Sequence, residues 1–302
     1  VNAALVVDHV ARSFGSAQAV RDVSFGVRGG ATFGLLGPNG AGKTTTMRMI
    51  LGIIAPSSGT ISWRGAPIDA RTRKRLGYLP EERGLYGKLS VRDQIAYFAR
   101  LHGVAASEVG QRVSGMLDEI ELAADAGRPC AELSKGNQQK VQFACAAVHD
   151  PELLILDEPF SGLDPVNAQI LLRAMQALQR RGATLILSSH QMWQLEGLCT
   201  EYCIIAGGEG RAHGTLAELR SLRPAFTLRA GPASDALRAA FARVQGAVAL
   251  PAHDGYLDYR VPRTLPLEPL VRALVAAAPL THFECIEPSL AEIYLEAIGA
   301  AA

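Results

Sequence analysis

Residues Gly37 to Thr45 read G-P-N-G-A-G-K-T-T and follow directly on the apolar segment Thr32–Leu36. This is the spacing G-x-x-x-x-G-K-[ST] of a phosphate-binding loop. Gly37, Gly40 and Gly42 leave room for backbone N–H groups to close around phosphate oxygens, with Pro38, Asn39, Ala41 and Thr45 completing the loop. A helix starting near Gly42 adds its positive end. Lys43 is expected to reach the β- and γ-phosphates and the Thr44 hydroxyl to ligate Mg²⁺. An ordinary glycine-rich turn would share the glycines, but the strand-like residues before and the helical pattern after favour nucleotide binding.

Three further segments carry polar residues at places where a parallel sheet puts its chemistry. Leu153–Leu156 is a continuous apolar run, as in a buried parallel strand, and ends in Asp157-Glu158-Pro159. One carboxylate can hold Mg²⁺ through water while its neighbour orients an attacking water. Thr184–Leu187 is a second such run, ending in Ser188-Ser189-His190. A histidine at a strand end is more often structural, yet this one shares a sheet edge with Asp157 and Lys43, which favours a γ-phosphate contact. Leu133–Lys140 reads L-S-K-G-N-Q-Q-K; alone it is a helix capped by Ser134, with Gly136 allowing backbone to approach an anion. Phe14, in a polar stretch, is either a core plug or a ring on which an adenine stacks.

The elements that must position these residues follow from periodicity. Ala4–Asp8 and Val20–Val27 alternate as antiparallel strands around a turn at Arg12–Gly15. The helix after Thr44 stops at Gly52; Thr60–Trp63 and Leu76–Pro80 are strands, the latter opening into the acidic loop Glu81–Gly87, a candidate contact loop or a solvated turn. Ser90–Leu101 and Val109–Ile120 have helical period, Ser90 and Asp93 forming a capping-box-like start. Val166–Leu178 is an amphipathic helix after the tight loop Ser161–Pro165. From Ala225 the order is β-α-β-β-α-β, over Phe226–Ala230, Ala233–Val244, Ala247–Leu250, Tyr256–Val261, Leu267–Ala277 and His282–Ile286, with a last helix started by Ser289 and Glu292. That is a ferredoxin-like α+β pattern.

A chain of 302 residues, 48% hydrophobic, supports two domains, and its net charge of +1 does not suit a nucleic-acid binder. Five scattered cysteines and the lack of a secretory segment lead to an expectation of the cytoplasm. Cys199 and Cys203 could share a helix face as metal ligands, but buried thiols are the better reading. No apolar run approaches the roughly 20 residues that span a bilayer, so a membrane role requires a separate partner.

Together these motifs resemble the ATP-binding cassette (ABC) ATPase subunits of ABC transporters over residues 1–220, an α/β phosphate-loop NTPase fold with an antiparallel β subdomain and a helical subdomain at about residues 88–148. The appended domain covers 225–302. Gly37–Thr44 resembles the Walker A loop, Leu133–Asn137 the ABC signature, Leu153–Glu158 the Walker B strand with its glutamate, Ser161–Asp164 the D-loop and His190 the switch histidine. The resemblance implies that Phe14 stacks on adenine. It further implies that Ser134 and Gly136 contact the γ-phosphate of ATP held by a second ATPase subunit, in a head-to-tail homo- or heterodimer. Glu158, Lys43 and His190 would be the catalytic set. Lys135 and Asn137 depart from the usual L-S-G-G-Q, and Glu81 stands where a glutamine usually senses Mg²⁺ and the membrane subunit; with Thr44 and Asp157 it forms the expected metal set. The variants L-P-E-E-R-G-L-Y and L-S-K-G-N-Q-Q-K resemble exporter ATPases that include sodium and drug efflux systems.

The function these features lead us to expect is ATP hydrolysis coupled to export by a separate membrane-spanning subunit, at the inner face of the cell membrane and without nucleic acid. A soluble ABC ATPase acting on ribosomes or DNA would carry tandem cassettes, heptad insertions or basic tails, which are not seen. A regulatory nucleotide binder without hydrolysis would have no use for Glu158.

Overall fold

In the computed structural model, which describes residues 3–82, 84–189 and 192–299, the chain divides after Gly214 into two units. The first opens with a long antiparallel pair, β1 (Ala3–Phe14) and β2 (Ala17–Arg28). The turn predicted over Arg12–Gly15 is displaced: Arg12, Ser13 and Phe14 still pair with Val20, Gln18 and Ala17, and Gly15, at φ 59°, supplies the left-handed backbone for the reversal. β3 (Thr32–Leu36) is buried at every residue and leads through the phosphate loop into α1 (Lys43–Ile50). β4 (Ser58–Trp63), β5 (Ala66–Pro67), α2 (Ala70–Arg73) and β6 (Leu76–Leu79) follow.

Next come α3 (Val91–Leu101), α4 (Ala106–Glu119) and α5 (Lys135–Ala147). The Ser90 and Ser134 hydroxyls cap α3 and α5 by accepting from the N–H groups of Asp93 and Asn137. The unit ends with β7 (Leu153–Leu156), α6 (Pro165–Arg180), β8 (Thr184–Ser188), α7 (Met192–Glu196), β9 (Glu201–Ala206) and β10 (Glu209–Gly214).

These strands form one curled sheet in the order β5-β4-β1-β2-β10-β9-β3-β8-β7-β6. From β9 to β6 the pairing is parallel throughout. Leu35 lies opposite Ser188, Leu187 opposite Leu156 and Leu156 opposite Leu79, so β3, β8, β7 and β6 deliver their C-terminal ends to one edge. Leu153–Leu156 are fully buried, which is why that strand reads as an unbroken apolar run. Phe25 of β2 stacks on Phe33 of β3, with ring centroids 4.9 Å apart, joining the antiparallel half to the parallel half.

β9 places Cys203 in a strand and Cys199 in the preceding turn, so the two thiols do not share a helix face. Both are buried, and burial pushes the Cys203 thiol up to about 12. Among the described residues no group of three or more His, Cys, Asp and Glu is disposed to hold a metal ion.

The second unit starts at Thr215 rather than near Ala225. α8 (Leu216–Ser221) belongs to it because the Arg263 guanidinium donates to the carbonyls of Arg220 and Arg223, and Arg220 donates to the Pro288 carbonyl. Then follow β11 (Ala225–Gly231), α9 (Asp235–Phe241), β12 (Val248–Ala249), β13 (Leu257–Pro262), α10 (Leu267–Ala277), β14 (His282–Ile286) and α11 (Leu290–Ala297). The sheet order is β12-β13-β11-β14, with every neighbouring pair antiparallel. Its core gathers Phe226 and Leu228 of the sheet with Leu237, Phe241, Leu270 and Leu274 of the helices, and Phe241 stacks on Tyr259 at 4.1 Å.

Candidate functional site

The shared sheet edge fixes what can meet there. After β3, Gly40 and Gly42 take φ of 78° and 104°, where a side chain is strained. A Cβ on Gly42 would lie 2.7 Å from the Ala19 carbonyl oxygen, and one on Gly37 would collide with the carbonyl of Ile205. The loop is thus held between β2 and β9, with no space for a side chain at Gly37 or Gly42. Lys43, at 7% exposure, turns its ammonium back to the carbonyls of Gly37 (2.7 Å) and Pro38 (3.2 Å). Burial lowers its pKa, while the nearby carboxylates of Glu158, Asp157 and Glu81 pull it upward. A buried cation resting on neutral carbonyls is only partly compensated, and an anion in the loop would complete it.

Asp157 and Glu158 leave β7 beside this loop. The Thr44 hydroxyl donates to Asp157 Oδ2 (2.8 Å), and the Ser188 hydroxyl, at the end of β8, donates to Oδ1 (2.5 Å). Ser188 also accepts from the Glu158 N–H (2.9 Å), so one buried hydroxyl orients both acidic residues. Glu158 itself stands at φ 50°, an uncommon conformation for a residue with a side chain. This backbone is held by the Ser188 bond and sets the direction in which the carboxylate leaves the strand. From β6, Asp157 N–H donates to the Leu79 carbonyl (2.8 Å), which brings Pro80 and Glu81 to the same edge.

The result is a cleft of about 470 Å³ lined by Asn39–Thr45, Glu81, Asp157 and Glu158, with Ala19 and Ser161 at its margin. Lys43 and the loop amides suit a polyphosphate. Thr44, Asp157 and Glu81 offer oxygen donors of the kind a hard divalent cation takes.

A family model described as ABC transporter matches residues 20–161. The chain is 40% identical over 307 residues to the Uncharacterized ABC transporter ATP-binding protein YhaQ of Bacillus subtilis (strain 168), covering 98% of this chain and 99% of that one. The chain belongs to the ABC transporter ATP-binding subunits. It is also 37% identical over 222 residues to the Nod factor export ATP-binding protein I of Sinorhizobium fredii (strain NBRC 101917 / NGR234), covering 71% of this chain and 65% of the relative. A solved structure of the ATP-binding subunit of an ABC transporter superposes with a TM-score of 0.67 at 34% identity, over 72% of this chain and 92% of that one. ABC ATPase domains bind ATP and hydrolyse it in transporters.

In this ABC subunit the sites expected from sequence divide into two groups. The phosphate loop, Glu81, Asp157 and Glu158 converge on one cleft. Phe14, Ser134 and Gly136 do not line it. Phe14 ends β1 at 46% exposure, which excludes the core-plug alternative, and the Arg12 guanidinium lies over its ring at 4.8 Å. The Ser134 hydroxyl is engaged as the cap of α5. Gly136 packs against the start of α6, where a Cβ would lie 3.0 Å from Asn167 Nδ2. His190 lies outside the described residues.

Sequence reasoning missed Ser188, although the triplet Ser188-Ser189-His190 had drawn attention for its histidine. It also missed Gln139 and Gln142, whose side chains donate from α5 to the Pro159 carbonyl (3.1 Å) and to the carbonyls of Pro80 (2.9 Å) and Glu82 (3.1 Å). Two amides one helical turn apart, at the entry to the apolar half of α5, were the available signal.

Proposed function

We propose that this ABC ATPase energises export by a separate membrane-spanning subunit, and that it acts as a pair of cassettes, of like or unlike chains, joined head to tail. The single observation that carries the catalytic part is the Thr44–Asp157–Ser188–Glu158 chain beside Lys43. In this reading ATP lies with its phosphates on Gly37–Thr45, and Lys43 exchanges the Gly37 and Pro38 carbonyls for the β- and γ-phosphates. Glu158 orients a water and accepts its proton as the γ-phosphate is transferred, while Lys43 and His190 offset the developing charge. Thr44, Asp157 and Glu81 would hold Mg²⁺, which when bound neutralises phosphate charge. Phe14 would stack on the adenine, and Ser134 and Gly136 would face the nucleotide of the second cassette.

Export is supported by the likeness to the Nod factor export proteins. No described helix is long and apolar enough to cross a membrane. Docking of the spanning partner is supported by a groove of about 350 Å³ lined by Leu51, Ile53, Tyr78, Leu85 and Phe98, with Ile53 59% exposed, which reaches Pro80 beside the Glu81 loop. In this reading the protein works at the inner face of the membrane through its partner.

The test is purification of the tagged chain from detergent-solubilised membranes of its native host. A multi-spanning protein should co-purify, and Ile53→Glu should release it while ATP binding persists. Recovery of the chain alone, from the aqueous fraction only, would contradict the partner assignment.

A further inference from the structure

α5 is capped by Ser134 and carries two glutamines that bond the backbone beside two residues of the nucleotide cleft, Glu81 and Glu158. Gln142 is 5% exposed, and its Nε2 donates to the carbonyls of Pro80 and Glu82, the two residues that flank Glu81. Two carbonyl acceptors can be met only by the amide's N–H₂ end, so the orientation of this side chain is fixed by its partners. Gln139, 3% exposed, holds the Pro159 carbonyl next to Glu158 in the same way. The backbone on both sides of Glu81 is therefore fastened to the helix whose first turn contains Gly136.

We propose that Gln142 is a positioning residue for the ATPase reaction: by clamping the carbonyls on either side of Glu81 it sets the reach of that carboxylate into the cleft. Gln139 does the corresponding work for the Glu158 turn. A shift of α5, whose N-terminus bears Ser134, moves both loops together. The inference rests on the reading of Glu81 as a metal-facing group, and the two can be separated by experiment.

Gln142→Met keeps the length and most of the volume of the side chain and removes both donors. In the full-length protein, the Mg²⁺ concentration for half-maximal ATPase activity should rise about three- to tenfold in Gln142→Met, with ATP affinity within about twofold of wild type because the phosphate loop is untouched. Glu81→Ala should give a shift of the same direction, and the double variant no more than the larger single shift. Gln139→Met should instead lower kcat and leave the Mg²⁺ titration in place. A wild-type titration in Gln142→Met beside a shifted Glu81→Ala would overturn the positioning role while the metal reading stands. An unshifted Glu81→Ala would remove the metal reading and this inference with it, as would additive shifts in the double variant, which would show that Gln142 acts elsewhere. If circular dichroism shows Gln142→Met unfolded, Gln142→Glu, which keeps the stem and replaces the donors by acceptors, enters the same cycle with the same expected shift.

Discussion

Two buried acidic sites, one in each unit, show how differently a carboxylate can be used. In the second unit Asp258 receives a two-pronged bond from Arg229, at 2.8 and 2.7 Å, and the guanidinium holds its carboxyl below the usual carboxylate range. The pair is self-sufficient: each charge has its opposite, and no ligand is needed. In the first unit the side-chain donors to Asp157 among the described residues are the neutral hydroxyls of Thr44 and Ser188, while the buried Lys43 nearby turns to carbonyls instead of closing an ion pair with it. Opposite charges held close but bonded to neutral groups are arranged for something that arrives, and in the proposed reading a metal-bound phosphate would satisfy both.

That contrast can be broken from either side. Lys43→Ala, the larger effect, should reduce ATP affinity by at least about a hundredfold and abolish hydrolysis, with the fold retained, since among the described residues the ammonium donates to loop carbonyls alone; nucleotide titration and circular dichroism check it. Near-normal turnover would remove the loop from the nucleotide site. Phe241→Ala should weaken the second unit by about 3–5 kcal/mol through the cavity left against Tyr259, read as an earlier thermal transition, while ATP affinity stays unchanged. A parallel loss of nucleotide binding in a cassette still folded would show that the two regions are not independent.

The smallest effect expected concerns pH. Because the folded pKa of Asp258 is lowered, its contribution is complete above the unfolded value of about 4 and is lost as pH falls through the depressed folded value. Asp258→Asn should therefore reduce the melting temperature of the second unit at neutral pH and flatten its decline in acid. A variant with the same acid decline as wild type would assign that decline to other groups.

Much of the first unit could be read from the sequence because buried parallel strands and glycine-bounded loops leave strong patterns. Leu153–Leu156 and Thr184–Leu187 announce themselves as strands, and the polar residues after them lie at the edge where the register places them. β9 and β10 did not announce themselves: Glu201-Tyr202-Cys203 mixes charge with bulk because Glu201 is paired with Arg28 across the sheet, a contact far away in the chain. The extension of β1 through Phe14 depended likewise on cross-strand partners, not on its own composition. Within the site, the residues of a phosphate-binding loop pattern are constrained by type and spacing and so were legible. The residues that hold them, Ser188, Gln139 and Gln142, act through backbone carbonyls and amides of distant segments, and no local spacing encodes such partners.

The central claim, that Glu158 accepts the proton of the attacking water in an ATP-binding cleft, is tested most directly by Glu158→Gln. The amide keeps the shape but cannot take a proton, so hydrolysis should fall by on the order of a hundredfold or more while ATP affinity is retained through Lys43, Thr44 and Asp157. Bound yet uncleaved ATP should then hold two cassettes together, seen on size exclusion, with co-expressed subunits included, as an earlier elution that requires ATP and is lost in Ser134→Arg. Unimpaired hydrolysis in Glu158→Gln, with an elution profile indifferent to ATP, would contradict the account.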